Sequence, residues 1–163
     1  MSENIVTFKP IGIIQSEHKS TEETPIQPVY AKESEGRAEI FLEYTDGLLD
    51  LEGFSHIYII YYLHRASTVK LLVKPFLHDV EHGVFATRTP NRPNAIGLSI
   101  VELISREGNI LYLKGLDTLD GTPLLDIKPY PSKFDRIETT RNGWLDDIDN
   151  VTAMLRGKRG YRG

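Results

Sequence analysis

Apolar and polar residues alternate with a period of two along much of this 163-residue chain, whereas helical periodicity is rare. In residues 37–44 most apolar positions fall on one face, which predicts a strand with one buried side. Further strands are predicted at residues 5–14, 55–64, 70–74, 83–87, 96–104 and 110–116, with a hairpin turn at Gly108 and Asn109. Short strands separated by turns predict a mostly β fold, either an antiparallel barrel or a sandwich.

One helix is predicted at residues 145–155. Its apolar residues recur at helical spacing and are Leu145, Ile148, Val151 and Leu155. Aspartates in its first turn favour the positive end of the helix dipole, and Gly157 can end it. We expect a C-terminal helix that packs on the barrel.

The strand at residues 55–64, SHIYIIYYLH, is apolar or aromatic on both faces. A strand of this kind is covered by protein on both sides. We expect the second cover to be either the barrel itself or a partner subunit.

The composition indicates one domain spanning residues 1–163, because a chain of this length with 40% hydrophobic content supplies one well-buried core. The formal net charge is −4, so any contact with nucleic acid must come from a local basic patch. Cysteine is absent, which excludes disulfides and a thiol nucleophile. The first ten residues lack the order of a signal peptide and no apolar run reaches ~18 residues, so we expect a cytoplasmic protein with no membrane contact.

Two stretches lack any regular period. Residues 16–35 are polar and contain two prolines, which predicts a long surface loop, and such loops are usually functional or disordered. The tail at residues 156–163 carries four basic residues. It is either a frayed terminus or an RNA contact in which Tyr161 stacks on a base.

The segment 83–99, GVFATRTPNRPNAIGLS, combines two arginines with two prolines directly after a predicted strand. Pro90 and Pro93 restrict the backbone, so a stiff loop is predicted. An arginine on a stiff loop loses little freedom when it binds a carboxylate or a phosphate. We therefore take Arg88 and Arg92 as candidate anion-binding residues, the alternative being that both pair with surface acids.

A second candidate cluster begins at residue 115 with GLDTLDG. Asp120 followed by Gly121 is a turn signal, which places Asp117 and Asp120 where they could accept hydrogen bonds from a ribose or an amine. Aspartates in such turns also commonly bond only to their own backbone.

The histidines give little support for a metal site. His56 and His64 are roughly 26 Å apart along one strand, so they cannot share an ion within a single chain. His78 and His82 are four residues apart, but HDVEHG lacks the glutamate position of the HExxH zinc motif. We predict no bound metal, and a metal-dependent hydrolase using these histidines is a weaker hypothesis.

Five motifs together resemble the TsaA-like family, also called TrmO. They are GIIQS at residues 12–16, Pro25 with Gln27, GLLDLEGFSHIYI from residue 47, GVFATRTPNRPNAIGLS at residues 83–99 and DGTPLLDIKPY at residues 120–130. The last two are long and unusual enough to be specific, and the resemblance extends over roughly residues 8–131.

The resemblance implies a small antiparallel β-barrel that works as a homodimer and as an S-adenosylmethionine-dependent tRNA methyltransferase. Members of the family methylate N6 of threonylcarbamoyl-adenosine beside the anticodon. The cofactor contacts implied for this chain are Pro25, Ile26, Gln27, His64, Arg65, Arg88, Leu98, Asp117, Thr118, Leu119 and Asp120.

The chain departs from the family pattern at two positions. Ile26 stands where an arginine is common, so we expect backbone contact there instead of side-chain contact. Ala95 stands where a proline is common, which leaves the loop slightly less stiff. Longer bacterial relatives carry a further C-terminal region, and the basic tail is a candidate substitute for it in tRNA docking.

Methyl transfer to this nitrogen calls for positioning of both partners and for a group that helps the conjugated nitrogen lose a proton. Asp126, Lys128 and Tyr130 are the candidate catalytic residues, because a strand would place all three on one face. The alternative is that this face is merely polar and exposed. The alternative function is a non-enzymatic RNA-binding β-barrel module.

Overall fold

The computed structural model describes residues 4–19 and 33–157. Its eight strands are β1 (Gly12–Ser16), β2 (Glu35–Ile40), β3 (His56–Tyr62), β4 (Leu72–Val73), β5 (His82–Gly83), β6 (Ile96–Glu107), β7 (Ile110–Lys114) and β8 (Thr122–Pro129). Six of them close into a barrel in the order β1-β2-β7-β6-β3-β8, and every neighbouring pair is antiparallel. The mostly β prediction is confirmed, and the barrel replaces the sandwich alternative.

The barrel interior is filled by alternate residues of each strand, which accounts for the period of two in the sequence. In β6 the inward positions 97, 99, 101 and 103 are buried while residues 96, 98, 100, 102 and 104 are exposed. Fully buried aliphatic side chains are Ile14, Ile40, Ile57, Ile59, Val101, Leu111, Leu113, Leu116 and Leu124. Each contributes about 1.5–3 kcal/mol to folding when it leaves water.

The strands β6 and β7 form the predicted hairpin. They pair antiparallel down to Glu107 and Ile110, and Gly108 at the turn has a φ of 61°. This left-handed backbone favours glycine, so the sequence signal at Gly108–Asn109 is confirmed.

Two predicted strands end earlier or start later than the pattern indicated. The strand predicted at residues 37–44 stops at Ile40, because the chain turns into a 3-10 helix at Leu42–Leu48 in which Leu42 is exposed. The strand predicted at residues 5–14 begins only at Gly12, two residues after Pro10, which has no amide hydrogen for a ladder.

The strands predicted at residues 70–74 and 83–87 are mostly wrong. Only β4 and β5 pair here, with two residues each. Residues Val84–Ala86 form a 3-10 turn, because both the amide and the hydroxyl of Thr87 donate back to the carbonyl of Val84. The chain between β3 and β6 is therefore a long excursion outside the barrel.

The C-terminal helix was predicted too long and in the wrong place. A 3-10 helix at Gly143–Asp147 precedes the helix α2 (Asn150–Gly157), and a single helical turn, α1, lies at Ser132–Asp135. Asp149 interrupts the predicted helix, since its carboxylate accepts from the amide and hydroxyl of Thr152 as an N-cap. Val151 and Leu155 are 69% and 50% exposed, so the predicted apolar face does not pack on the barrel of this chain.

Within the described ranges, no helix is long and apolar enough to cross a bilayer. The centre of the long loop and the last six residues, with Pro25, Ile26, Gln27 and Tyr161, lie outside the described residues.

Candidate functional site

A chain of buried polar groups lies at one end of the barrel interior. The hydroxyl of Ser99 on β6 donates to Oδ1 of Asp117 at 2.7 Å, and the hydroxyl of Tyr61 on β3 lies 2.9 Å from Ser99 Oγ. All three residues are at most 7% exposed. An aspartate at this depth is stabilised only when hydrogen bonds replace its water.

The loop that carries Asp117 is fastened to the end of β1. Ser16 Oγ donates to the carbonyl of Thr118 at 2.7 Å, and the amide of Ser16 donates to Oδ1 of Asp120 at 3.0 Å. The ring of buried His18 bonds the carbonyl of Leu116 at 2.8 Å. These contacts join segments about a hundred residues apart in sequence, so the loop is held rigidly.

Asp120 lies at the outer edge of this loop. Its carboxylate accepts from Lys19 Nζ at 2.8 Å. The hydrogen bond from Lys19 and that from the amide of Ser16 hold the pKa of Asp120 below its ordinary value, although partial burial opposes them. Asp120 is therefore an anionic acceptor at neutral pH.

The hydroxyl of Thr118 is buried and makes no hydrogen bond with any described residue. Its residue is only 3% exposed, and it lies between Asp117 and Asp120 along the chain. An unpaired buried hydroxyl costs about 1–3 kcal/mol, which a bound polar ligand would offset.

The two arginines of the proline-rich loop have different surroundings. Arg92 Nη1 donates to the carbonyls of Thr87 and Thr89 at 3.0 and 3.2 Å, so it closes the loop on itself. These contacts use one nitrogen of the guanidinium, and the role of Arg92 in anion binding stays a prediction.

Arg88 reaches the buried polar groups electrostatically. Burial and the charge of Asp117 raise the pKa of Tyr61, while its hydrogen bond with Ser99 and the charge of Arg88 lower it. Arg88 is itself exposed, and its charge acts on Tyr61 at the Asp117 end of the barrel. A cation placed there attracts an anionic ligand group toward the mouth.

The family assignment rests on a direct comparison. Residues 13–136 match the model of the tRNA-methyltransferase O N-terminal domain. The chain belongs to the TrmO family. The match covers every barrel strand except the first residue of β1, together with the Asp117 loop and the arginine loop.

Relatives in the TrmO family include proteins from archaea, bacteria and mammals. A probable S-adenosyl-L-methionine-binding protein of Pyrococcus abyssi is 54% identical over 87% of this chain and 77% of its own length. A tRNA (adenine(37)-N6)-methyltransferase of Homo sapiens is 39% identical over 81% of this chain and 31% of its own length. The crystal structure of TrmO from Pseudomonas aeruginosa aligns with a TM-score of 0.72 and 37% identity.

The chain covers different shares of these relatives. The alignment with the solved Pseudomonas chain covers 86% of this chain and 62% of that one. The alignment with the human enzyme covers less than half of the human chain. The shared part is therefore the barrel domain, and the longer TrmO relatives contain regions with no counterpart in this sequence.

The other implied cofactor contacts lie on two sides of the barrel wall. His64 and Arg65 directly follow β3, near the Asp117 end, where the amide of Leu63 bonds the carbonyl of Ala95 at 2.8 Å. Leu98 points outward from β6 and is 51% exposed. Asp117 is buried at the end of the barrel, so the side chain of Leu98 does not share its side of the wall.

The three candidate catalytic residues are placed away from Asp117. Asp126 and Lys128 point outward from β8 and form an ion pair at 3.5 Å. The amide of Tyr130 donates to the carbonyl of His56 at the start of β3. Tyr61 lies five residues further along the same strand, which is about 17 Å from His56. The structure brings these three residues to one outer surface but not to the buried aspartate.

The histidines occupy separate places. His56 and His64 lie at opposite ends of β3, as expected from their spacing. His78 Nδ1 and His82 Nε2 are 2.9 Å apart, and both rings stack on Trp144 at 5.8 and 5.0 Å between centroids. No group of three or more candidate metal ligands occurs in the described parts of the chain.

Sequence reasoning missed four residues of this site: Ser16, His18, Tyr61 and Ser99. The sequence did contain one signal, since Ser99 is a polar residue at an inward position of an alternating strand. The partners of these residues lie up to 104 positions away, which a local pattern does not reveal.

Proposed function

We propose that this chain binds S-adenosylmethionine and methylates N6 of an adenine in tRNA, as the names of its relatives state for them. The observation that carries the proposal is the Asp117 loop at the barrel mouth, built within the matched TrmO domain. The specific substrate we propose is threonylcarbamoyl-adenosine beside the anticodon, in the cytoplasm. S-adenosylmethionine supplies an electrophilic methyl group on a sulfonium.

The residues at the mouth suit the polar groups of this cofactor. Arg88 would hold the methionyl carboxylate, because a guanidinium matches a carboxylate in charge and shape. Asp117 and Asp120 would accept from the amino group and the ribose hydroxyls. The unpaired hydroxyl of Thr118 is an additional group that a bound cofactor would satisfy.

The remaining proposed contacts are supported by position only. His64 and Arg65 follow β3 at the same end of the barrel, and Leu119 lies within the fastened loop. Pro25, Ile26 and Gln27 follow in the sequence after His18 and Lys19, which contact the Asp117 loop.

A second copy of the chain is proposed to complete the site. The outward residues of β3 and β6 form an apolar surface, interrupted on β6 by Glu102, whose members are Tyr62, Ile96, Leu98, Ile100 and Ile104, each 39–53% exposed. An apolar surface of this kind is typical of a subunit interface, and a two-fold dimer would place it against itself. The partner's Leu98 would then reach the cofactor from outside the wall.

The proposed catalytic roles of Asp126, Lys128 and Tyr130 depend on this dimer. Their outward face on β8 adjoins the outward face of β3, since Ile60 pairs with Asp126 and Tyr58 with Lys128. Within one protomer the side chains of Asp126 and Lys128 point to the outer surface, whereas Asp117 is buried at the end of the barrel. A role in removing the proton from N6 is therefore proposed for a site formed between two copies.

The excursion between β3 and β6 is the proposed contact for tRNA. Residues 64–92 contain five Lys or Arg and two Asp or Glu, a net charge of +3 in a chain whose total is −4. Phe85 in this excursion is 76% exposed and offers a stacking surface for a base. Local positive charge of this kind attracts the phosphate backbone.

Calorimetric titration with S-adenosylmethionine tests the cofactor proposal. We expect saturable binding near one per chain, and a loss of about tenfold or more in Arg88→Ala, because a charge-assisted hydrogen bond is removed. Arg136→Ala, an exposed arginine beyond β8, is the matched control. Equal affinity in wild type and Arg88→Ala would contradict the assignment of Arg88.

Methyl transfer to two tRNA substrates tests the reaction. One carries threonylcarbamoyl-adenosine and the other carries unmodified adenosine at the same position, and we expect transfer to the first. Transfer to both would contradict only the threonylcarbamoyl requirement. Salt-sensitive tRNA binding with no transfer and no cofactor binding would favour the RNA-binding module instead.

A further inference from the structure

We infer that Tyr61 and Ser99 are positioning residues that fix the carboxylate of Asp117 at the barrel mouth, and this inference rests on the proposed function. The two residues lie 38 positions apart, on neighbouring strands β3 and β6. Neither belongs to the cofactor contacts implied by family resemblance. Their contact with the proposed ligand is indirect, through Asp117.

The setting of these residues is otherwise apolar. Along β6 the inward positions after Ser99 are Val101 and Leu103, and on β3 Ile57 and Ile59 precede Tyr61. Polar side chains in such an interior cost free energy unless they are paired. An apolar pair of similar size would pack there equally well, so core formation alone does not account for Tyr61 and Ser99.

The order of the hydrogen bonds can be derived from the available protons. Ser99 has one hydroxyl hydrogen, and it is donated to Asp117 Oδ1 at 2.7 Å. Ser99 Oγ must then accept from Tyr61, whose hydroxyl lies 2.9 Å away. The chain therefore runs in one direction, from Tyr61 to Ser99 to Asp117, and ends on the carboxylate.

Such a chain fixes the carboxylate in two ways. The bond from Ser99 restricts rotation of the Asp117 side chain, and the bond from Tyr61 polarises the serine hydroxyl and strengthens its donation. A binding group must be held within about 0.5 Å of its productive position to be effective. Asp117 is thus presented to a ligand without having to reorient on binding.

Three variants and two controls test this inference by calorimetric titration with S-adenosylmethionine. We expect Ser99→Ala to weaken binding about tenfold, because it removes a hydrogen bond to a charged group. Tyr61→Phe should weaken it less, since the bond from Ser99 to Asp117 stays. Asp117→Asn removes the charge itself. Ser105→Ala and Tyr44→Phe make the same chemical changes at more exposed sites, on β6 and in the 3-10 helix after β2, and should bind like wild type.

The double variant Ser99→Ala/Asp117→Asn separates positioning from general damage. If Ser99 acts through Asp117, the double variant binds no more weakly than Asp117→Asn alone. Additive losses would overturn the inference, as would unchanged affinity in both Ser99→Ala and Tyr61→Phe. Thermal unfolding of each cofactor-free variant shows whether it has folded, and Tyr61→Phe, which keeps the buried ring, serves if Ser99→Ala unfolds.

The same titrations distinguish this inference from the proposed function. If the wild-type protein does not bind S-adenosylmethionine, the proposed function and the inference both fail. If wild type binds and Asp117→Asn binds equally well, the inference alone fails, because Asp117 is then not a contact. Binding by wild type, loss in Asp117→Asn and a non-additive loss in Ser99→Ala support it.

Discussion

Position 97 shows how a single residue controls the geometry around Asp117. Gly97 pairs with Tyr61 across β3 and β6, and a Cβ at this position would overlap the edge of the tyrosine ring. The ring can therefore lie over the backbone of β6, from where its hydroxyl reaches Ser99. The glycine in the motif IGLS is required by close approach of a side chain and not by a turn.

Gly97→Ala should destabilise the fold by about 1–3 kcal/mol, because an added methyl in a packed interior forces its neighbours to shift. The free energy of unfolding in urea, measured at one fixed protein concentration, gives the value. Gly53→Ala is the control, since nothing lies within 4 Å of a Cβ at that position. Equal stability of the two variants would show that the Tyr61 ring moves without cost.

Residues in turns were easier to predict than residues that meet across the barrel. Asp117, Asp120 and Arg88 were predicted as contacts because glycines or prolines with strong local preferences lie nearby in the sequence. Ser99 was not predicted as a site residue, and its partner Tyr61 lies in a strand that is apolar or aromatic on both faces. A hydrogen bond between distant strands leaves no local pattern, so these residues emerged only in three dimensions.

At the scale of elements, polar contacts attach the C-terminal segment, residues 143–157, to the excursion between β3 and β6. The indole of Trp144 donates to the carbonyl of Ala86 at 2.8 Å, and both Nη atoms of Arg156 bond the carboxylate of Asp79 at 3.0 and 3.1 Å. The sequence pattern suggested an apolar contact instead, because periodicity identifies a helix face without showing what meets it. The helix existed, but its boundaries and its attachment were wrong.

Asp79→Asn should loosen this attachment. Trp144 is the sole tryptophan of the chain, so its fluorescence emission reports on the segment, and we expect a shift to longer wavelength at neutral pH. Asp147→Asn, an exposed aspartate of the same segment, is the control. An unchanged emission spectrum in Asp79→Asn would mean that Trp144 alone holds the segment.

The fluorescence difference between wild type and Asp79→Asn should depend on pH in a direction that the structure determines. The hydrogen bonds and charge of Arg156 lower the pKa of Asp79 from its ordinary value. The contact is therefore fully present above the ordinary aspartate pKa and is lost as the pH falls through the lowered value. The spectral difference between wild type and Asp79→Asn should accordingly disappear over that acidic range, while the difference persists at higher pH.

At the scale of the whole molecule, the apolar outer surface of β3 and β6 is the proposed dimer interface. Ile100→Asp introduces a charge near the centre of this surface and should convert a dimer to a monomer in light scattering, since an unpaired charge in an interface is costly. Leu42→Asp, at an exposed leucine outside this surface, should leave the mass unchanged. A monomeric wild type would contradict the proposed dimer and leave the contact of Leu98 without support.

The fold class was predictable because alternation and turns are repeated in many strands, so errors at single strands did not change the answer. The sequence pattern left barrel and sandwich equally open. What distinguishes them is pairing of the first strand with the last, between residues 12–14 and 122–124. That pairing depends on shear and twist over the whole sheet, which no single segment encodes.

The pairing of β1 with β8 also determines when the barrel can close during synthesis. During synthesis β1 is made first but has only one neighbour until β8 is complete, and the edges of β1 and β3 stay open until then. Contacts between segments this far apart form late, since a long loop must close before they contribute. Ser16 and His18 anchor the Asp117 loop, which leads directly into β8, so every side chain of the site is made before the barrel can close. A nascent chain that ends before β8 would therefore carry the residues of the site on a sheet that is still open.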